Sequence, residues 1–450
     1  MRLSKNELVD KKHNRINLSP PSLLALGFLS FIIIGTLLLK LPFAHHGELT
    51  WINALFTATS AVTITGLSVV NIGDSFTTFG QVVVMLLIQC GGLGFMTFAI
   101  LAALSLSSKV GLKQQIMAQE TIGQTSLAKA TFTVKGVFLY SLFFEAIGTA
   151  ILTMAWSHHY DLDNAFFYAL FYSVSAFNNG GFSLFPNSLM SFSDQYMVTF
   201  TISMLYIIGG IGFVVLMDIK RAKRWKKLST NSKLILSTIA GLNLFAFIVI
   251  WLIEASNPLT LAPMSVGDQA LNAWFHATVP RSSGFNSLEV GNMTNASTLI
   301  TMVLMFIGGG SLSTAGGIKV GTFIIMILSV ITFLKRSDEI RVFGRSVSHQ
   351  ATFKALAVIA ITSLLILIGF FTLLILEPNK KFLDLLFEAV SAACTVGLSR
   401  GVTEDLSPGS LVALIFLMFA GRLGPLTLAY LIATPNKSRV SYPTTEIQIG

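Results

Sequence analysis

Apolar residues in this chain gather into long runs, broken by short polar, basic or glycine-rich stretches, and the runs recur in sets. After Pro20-Pro21 one run extends from about Ser22 to Phe43, and another covers Phe79 to Leu104. Runs of roughly 20 residues cross about 30 Å of hydrocarbon. Between these two, Trp51 to Val62 is only moderately apolar, and at 1.5 Å per residue it reaches about 18 Å. So short a segment enters a bilayer and turns back, which predicts spanning helix, half-helix, loop, spanning helix. The set recurs with spans near Val134–Trp156 and Met197–Met217 around a half-helix near Asn164–Phe177. In the third copy Leu234–Glu254 and Leu299–Leu334 flank Ala270–Pro280, and in the fourth Ala355–Leu376 and Leu411–Ala433 flank Phe382–Ala393. The first run has no small-residue cleavage site and is read as a retained helix. The divisions that follow are a tail at 1–19, repeats at 20–106, 134–217, 234–334 and 355–433, joining loops at 107–133, 218–233 and 335–354, and a tail at 434–450.

Each half-helix runs into a loop with a glycine before Leu or Phe. The four loops are Thr63-Ile64-Thr65-Gly66-Leu67, Asn178-Asn179-Gly180-Gly181-Phe182, Arg281-Ser282-Ser283-Gly284-Phe285 and Cys394-Thr395-Val396-Gly397-Leu398. Their glycines lie about 110 residues apart, a period that marks an internal repeat. Each unit crosses an even number of times, so all four point the same way, unlike the inverted repeats of many alternating-access transporters. The expected fold class is therefore an all-α membrane protein with four tandem helix–pore-loop–helix repeats in a pseudo-fourfold arrangement around one central ion pore. Rings of backbone carbonyls can replace the water of a partly dehydrated alkali cation without burying net charge. Glycine permits the left-handed or extended backbone that aims those carbonyls inward, and half-helix C-termini add partial negative charge. The four loops form the candidate selectivity filter.

Three features depart from simple repetition. Arg281 is awkward beside a cation path and is expected to turn away and pair with a carboxylate such as Glu289 or one on a neighbouring segment. Arg422 lies about a dozen residues into the last run, where an ionised side chain is costly. It either pairs with an acid such as Glu145 or faces the cavity below the filter as an electrostatic barrier. The last run of the third repeat is broken by the stretch Gly308 to Gly321, which lacks the G-K-[ST] order of a phosphate loop. Irregular backbone at membrane depth must face a cavity or be buried in protein. The expected gate is a movable obstruction built from Gly308, Gly309, Gly310, Ser311, Ser313, Thr314, Gly316, Gly317 and Lys319, with Arg422 beside it; a static kink is the alternative. Glycines at Gly91-Gly92, Gly209-Gly210 and Gly421 are read as seats for close helix packing, with a kink facing the axis as the other reading.

Composition agrees with a multi-spanning protein: of 450 residues 53% are hydrophobic and only 11% charged, against about 25% in soluble domains. The net charge of +9 is concentrated in the first tail and the three joining loops, most densely from Lys220 to Lys233. By the positive-inside rule both termini and the joining loops are cytoplasmic in the cell membrane. Anionic lipid heads or a cytoplasmic partner account for the basic surplus better than nucleic acid does. Cys90 and Cys394 suggest neither a disulfide framework nor a metal site. No histidine sits mid-run with a partnering acid, and no catalytic or metal-ligand spacing occurs, so neither an enzyme nor a covalent cofactor is expected.

The four glycines Gly66, Gly181, Gly284 and Gly397, the 308–321 stretch and Arg422 together resemble the Trk/Ktr/HKT superfamily of potassium transporters, closest to the membrane subunits of bacterial Ktr systems. The resemblance covers essentially the whole chain. It implies inward K⁺ movement with K⁺ held at the filter carbonyls, and Na⁺ as either a coupled ion or an activator. It also implies a homodimer with one pore per subunit, gated by a cytosolic nucleotide-binding RCK-type regulatory ring that docks on basic loops. In that family the stretch matching 308–321 is the intramembrane gate, and Gly66 fits the K⁺-permissive type. The competing reading is a secondary cation symporter with a substrate-coupling site, for which Glu145 and Glu254 are the intramembrane acids available.

Overall fold

A computed structural model describes residues 20–107, 127–424 and 427–428. The tails expected at 1–19 and 434–450 and the central part of the 107–133 loop lie outside the described residues. The first unit contains α1 (Pro20–Leu39), α2 (Trp51–Val62), the single turn α3 (Ile72–Ser75) and α4 (Thr78–Ser107). The second contains α5 (Leu127–Trp156), α6 (Leu162–Phe177), α7 (Tyr196–Ile211) and α8 (Phe213–Ala222). The third contains α9 (Thr230–Glu254), α10 (Val266–Thr278), α11 (Asn295–Phe306) and α12 (Val320–Leu334). The fourth contains α13 (His349–Leu376), α14 (Phe382–Ala393) and α15 (Pro408–Leu423).

Polar side chains start these helices where the apolar pattern changes. Thr50, Ser229, Ser265, Thr294, Ser348 and Ser407 each accept a backbone N–H three residues on, the bond that satisfies a donor left over in the first turn. The cap at Ser348 explains why α13 begins earlier than Ala355. The basic stretch before it folds as a small hairpin pairing Arg341–Val342 with Arg345–Ser346. The half-helices α2, α6, α10 and α14 hold 12, 16, 13 and 12 residues, too few to span about 30 Å. Among the described residues, Gly136–Trp156, Thr230–Glu254 and His349–Leu376 are long and apolar enough to cross a membrane singly. Their outward faces carry exposed Leu139, Phe143, Leu252, Leu367 and Phe371, as a hydrocarbon solvent requires.

One expectation is corrected in the second unit. The run Met197–Met217 is not a single helix: α7 and α8 meet at 92°. The break falls at Gly212, whose φ of 102° suits only glycine. The cause is distant in sequence, because Phe213 donates its N–H to the Leu312 carbonyl and the Ser311 carbonyl lies close against Gly212. The loop of the third unit occupies the line a straight helix would take.

The helix after each half-helix loop packs on the next unit's half-helix: α4 on α6, α7 on α10, α11 on α14, and α15 back on α2. The last contact closes the order on itself. Three glycines make the seats on which half-helix ends rest: Gly91 lies against the Val62 carbonyl, Gly209 against that of Phe177 and Gly421 against that of Ala393. Any Cβ there would overlap the carbonyl, so these glycines serve close packing.

Candidate functional site

The four loops that follow the half-helices repeat one backbone conformation. Ile64, Asn179, Ser282 and Thr395 all have positive φ, at 50°, 59°, 77° and 48°, and two residues on Gly66, Gly181, Gly284 and Gly397 have φ of 91°, 68°, 74° and 92°. A left-handed non-glycine residue costs about 1–3 kcal/mol, more for β-branched Ile64 and Thr395. Such strain at the same register in four loops marks a conformation held for a purpose.

A shared side chain helps to hold it. Six residues before each loop glycine stands a hydroxyl: Ser60, Ser175, Thr278 and Ser391. Ser60 Oγ accepts the Gly66 N–H and Ser391 Oγ the Gly397 N–H, both at 3.1 Å. Ser175 instead donates to the Phe182 carbonyl, and Thr278 turns to the Tyr206 hydroxyl at 2.7 Å. These four residues were not among the sequence candidates, although their constant offset from the loop glycines was legible. Behind the second loop, Asn178 Nδ2 donates to Gln89 Oε1 at 2.6 Å and Glu145 Oε1 at 3.1 Å, and Ser141 Oγ donates to the same carboxylate at 2.6 Å. Glu145 therefore braces a loop. Glu254 likewise takes the Thr294 N–H and hydroxyl and the Thr260 hydroxyl, fixing the start of α11.

The loops meet one another in a closed order. A Cβ added to Gly66 would meet the Gly180 carbonyl oxygen at 2.6 Å, one on Gly181 the Ser283 oxygen at 2.7 Å, and one on Gly284 the Val396 oxygen at 2.8 Å. One on Gly397 would overlap the Thr65 oxygen. Four carbonyls, those of Thr65, Gly180, Ser283 and Val396, thus stand against glycine Cα atoms of the neighbouring unit around a single axis. Among the described residues none of these oxygens accepts a hydrogen bond. A buried carbonyl without a donor is rare and costly, so four at one level invite an electropositive partner. Above them opens a cavity of about 520 Å³, reached by all four glycines and edged by Glu289 and Glu404.

Below the loops lies the 307–319 segment between α11 and α12. Its two ends pair as a parallel bridge, Ile307 with Ile318, and the Gly308 N–H donates to the Ile318 carbonyl at 2.9 Å. Gly310 N–H donates to the Gly210 carbonyl at 2.8 Å. Thr314 Oγ1 accepts from Asn179 Nδ2 at 2.9 Å, and the Gly316 N–H donates to Ser282 Oγ at 2.8 Å. Arg422, 6% exposed, donates from Nη1 to the Thr314 carbonyl at 2.8 Å and from Nη2 to the Gly91 carbonyl at 3.1 Å. Lys319 Nζ donates to the Ala315 carbonyl at 2.6 Å. Of the residues expected in the gate, Thr314, Gly316, Lys319 and Arg422 are brought together beneath the four loops, while Ser311 points outward and is exposed.

Arg281 departs from expectation. It is buried at 8% exposure, yet among the described residues it forms no ion pair, and its Nε has no acceptor. Glu289 lines the cavity above the loops, whereas Arg281, at the start of the third loop just after the half-helix, is not part of that lining, and no ion pair joins the two among the described residues. Arg400, by contrast, is paired and well buried: its Nε is 2.7 Å from Asp384 and its Nη atoms reach Thr298 and the Val290 and Gly291 carbonyls. It ties the third and fourth units together. Among the described residues no cluster of His, Cys, Asp or Glu could hold a metal ion, and Cys90 and Cys394 are free.

Comparison with known proteins adds to this geometry. Residues 23–442 match the family model described as TrkH, cation transport protein. The chain is 43% identical over 441 residues to the Ktr system potassium uptake protein B of Bacillus subtilis, covering 98% of this chain and 99% of that one. It is 38% identical to the protein of the same description from Vibrio alginolyticus, covering 98% and 97%. It is 34% identical to the potassium/sodium uptake protein NtpJ of Enterococcus hirae, covering 98% and 99%. Its fold matches the crystal structure of the potassium transporter TrkH from Vibrio parahaemolyticus with a TM-score of 0.75 at 19% identity, over 94% of this chain and 87% of that one. The chain belongs to the TrkH family of cation transport proteins, and it is a membrane protein and not an enzyme.

Proposed function

We propose that this protein carries potassium ions into the cell along the axis between its four loops. The observation that supports this best is the ring of Thr65, Gly180, Ser283 and Val396 carbonyls without hydrogen-bond donors. Neutral oxygens in that number replace the water around a weakly hydrated cation. Further oxygens of residues 63–66, 178–181, 281–284 and 394–397 extend the filter above and below the ring. The cavity with Glu289 and Glu404 faces outside and gathers cations. The basic stretches at 218–233 and 335–354 face the cytoplasm with both termini.

Residues 308–321 close the path below the filter, with Arg422 pinning the loop in place and setting a positive charge near it. Opening then requires a signal from elsewhere. A cytosolic nucleotide-binding ring on the basic loops, acting on a homodimer in contact with anionic lipids, supplies it. Na⁺ enters as activator or coupled ion, a choice that flux into proteoliposomes with and without Na⁺ decides. The carbonyl filter favours this reading over a substrate-coupled symporter, since the Glu145 and Glu254 carboxylates are both taken up by hydrogen bonds from neighbouring segments.

Growth of a K⁺-uptake-deficient strain at low K⁺ is the direct test. The wild-type chain should restore growth and Gly66→Asp should not, with both present in the membrane at equal level. Full rescue by Gly66→Asp would remove the filter from the account.

A further inference from the structure

The hydroxyl of Ser282 stands where three segments meet. It donates to the Thr395 carbonyl of the fourth loop at 2.7 Å and accepts the Gly316 N–H of the 307–319 segment at 2.8 Å. Ser282, Thr395 and Thr314 are all buried, so water does not compete for these bonds. A serine hydroxyl has one proton and can accept elsewhere at the same time. The Gly316 N–H occupies a lone pair and so directs the proton at Thr395. The fourth loop itself is pressed against the same point, because a Cβ on Gly316 would overlap Thr395 Oγ1.

We propose that Ser282 is the positioning residue that couples the 308–321 loop to the filter, an inference that rests on reading these segments as gate and filter. With the loop seated, the Ser282 proton is spent on the Thr395 carbonyl and holds that oxygen back from a cation. When the loop withdraws, the Gly316 N–H leaves, the hydroxyl turns freely, and the Thr395 carbonyl is released to the ion path. Linkage is reciprocal. A cation held by the fourth loop therefore favours the withdrawn gate, so permeant ion in the filter promotes its own passage.

The test uses the full chain in proteoliposomes, without any regulatory partner. Ser313→Cys, in a Cys90→Ala background, reports the gate, because Ser313 is buried in the seated loop and its hydroxyl has no partner. A thiol reagent on the cytoplasmic side should label it faster in K⁺ than in an impermeant organic cation. The expected factor is roughly three- to tenfold, the weight of one hydrogen bond. Adding Ser282→Ala should make labelling fast in both media and raise partner-free K⁺ flux by a similar factor. Retention of the wild-type K⁺ dependence in Ser282→Ala would overturn the coupling. Deletion of 309–317 is read alongside. Raised flux in the deletion with unchanged labelling in Ser282→Ala sinks the coupling and leaves the gate standing. Unraised flux in an inserted deletion protein sinks the gate and the coupling with it. Should Ser282→Ala fail to insert, Gly316→Ala leaves the filter sequence intact and crowds the loop off Thr395. It should give the same loss of K⁺ dependence, and an unchanged dependence overturns the proposal.

Discussion

Gly397 is the tightest of the four ring glycines, since a methyl there overlaps the Thr65 carbonyl and must also take up a φ of 92°. Gly397→Ala should therefore lower K⁺ uptake roughly tenfold or more, as expected of about 1–3 kcal/mol of backbone strain at a filter, measured as ion flux per inserted protein. A residue of a different kind is Glu377, just beyond the end of α13. Its carboxylate accepts the Ser407 N–H and the Ser410 hydroxyl, both at 2.7 Å, at the start of α15. Burial works to raise this carboxyl, but the bonds from Ser407 and Ser410 outweigh it and hold it below the ordinary carboxylate range. A group lowered in the folded state stabilises fully above its unfolded value of about 4.3 and loses that contribution as pH falls through the folded value. Glu377→Gln should lower the melting temperature of the detergent-solubilised protein at pH 7 by about 1–2 °C. The difference should close as pH falls through the lowered value of the folded carboxyl, beneath the ordinary carboxylate range. The loop glycines were legible because a backbone need leaves its mark in residue type. The destination of the Arg281 side chain was not, because a side chain of that length chooses among segments whose positions a linear pattern does not contain.

At the scale of elements, the half-helices could be read from length alone, since apolar segments of 12 to 16 residues fit neither a span nor a loop. The break after α11 was equally visible in its run of glycines. The bend between α7 and α8 was hidden, because its cause is the 307–319 segment about a hundred residues away, and Gly212 looks like any other glycine of a packing motif. The segment's attachments predict its behaviour. Deleting 309–317 should raise partner-free K⁺ flux about tenfold, and a flux at or below wild type in a correctly inserted protein would refute a closing role. Arg422→Ala removes the bonds to the Thr314 and Gly91 carbonyls together with a buried charge. Its flux should rise by roughly the same factor; no change would show that Arg422 neither pins the loop nor limits the ion.

For the whole molecule, the repeat and the even number of crossings were enough to expect units pointing one way. The order in which they touch came from contacts between distant segments, including α15 against α2. Orientation makes a separate prediction. Single cysteines at Asn187 and Glu404 should react with an impermeant reagent added outside intact cells. Those at Lys226 and Arg345 should react only after the membrane is opened, and the reverse pattern would invert the direction of transport.

If the 307–319 segment is the gate proposed above, it also says why four similar units are joined in one polypeptide. In a ring of identical chains every residue appears four times around the axis. Four copies of a segment as bulky as 307–319 would collide at the centre, and no partial set could be specified. Fusion frees each quarter to diverge. Ile64 can remain apolar while Asn179 and Ser282 grip the segment carried by the third unit alone. On the proposed reading, covalent linkage exchanges exact symmetry for a division of labour, in which every quarter contributes oxygens and one quarter carries the stopper.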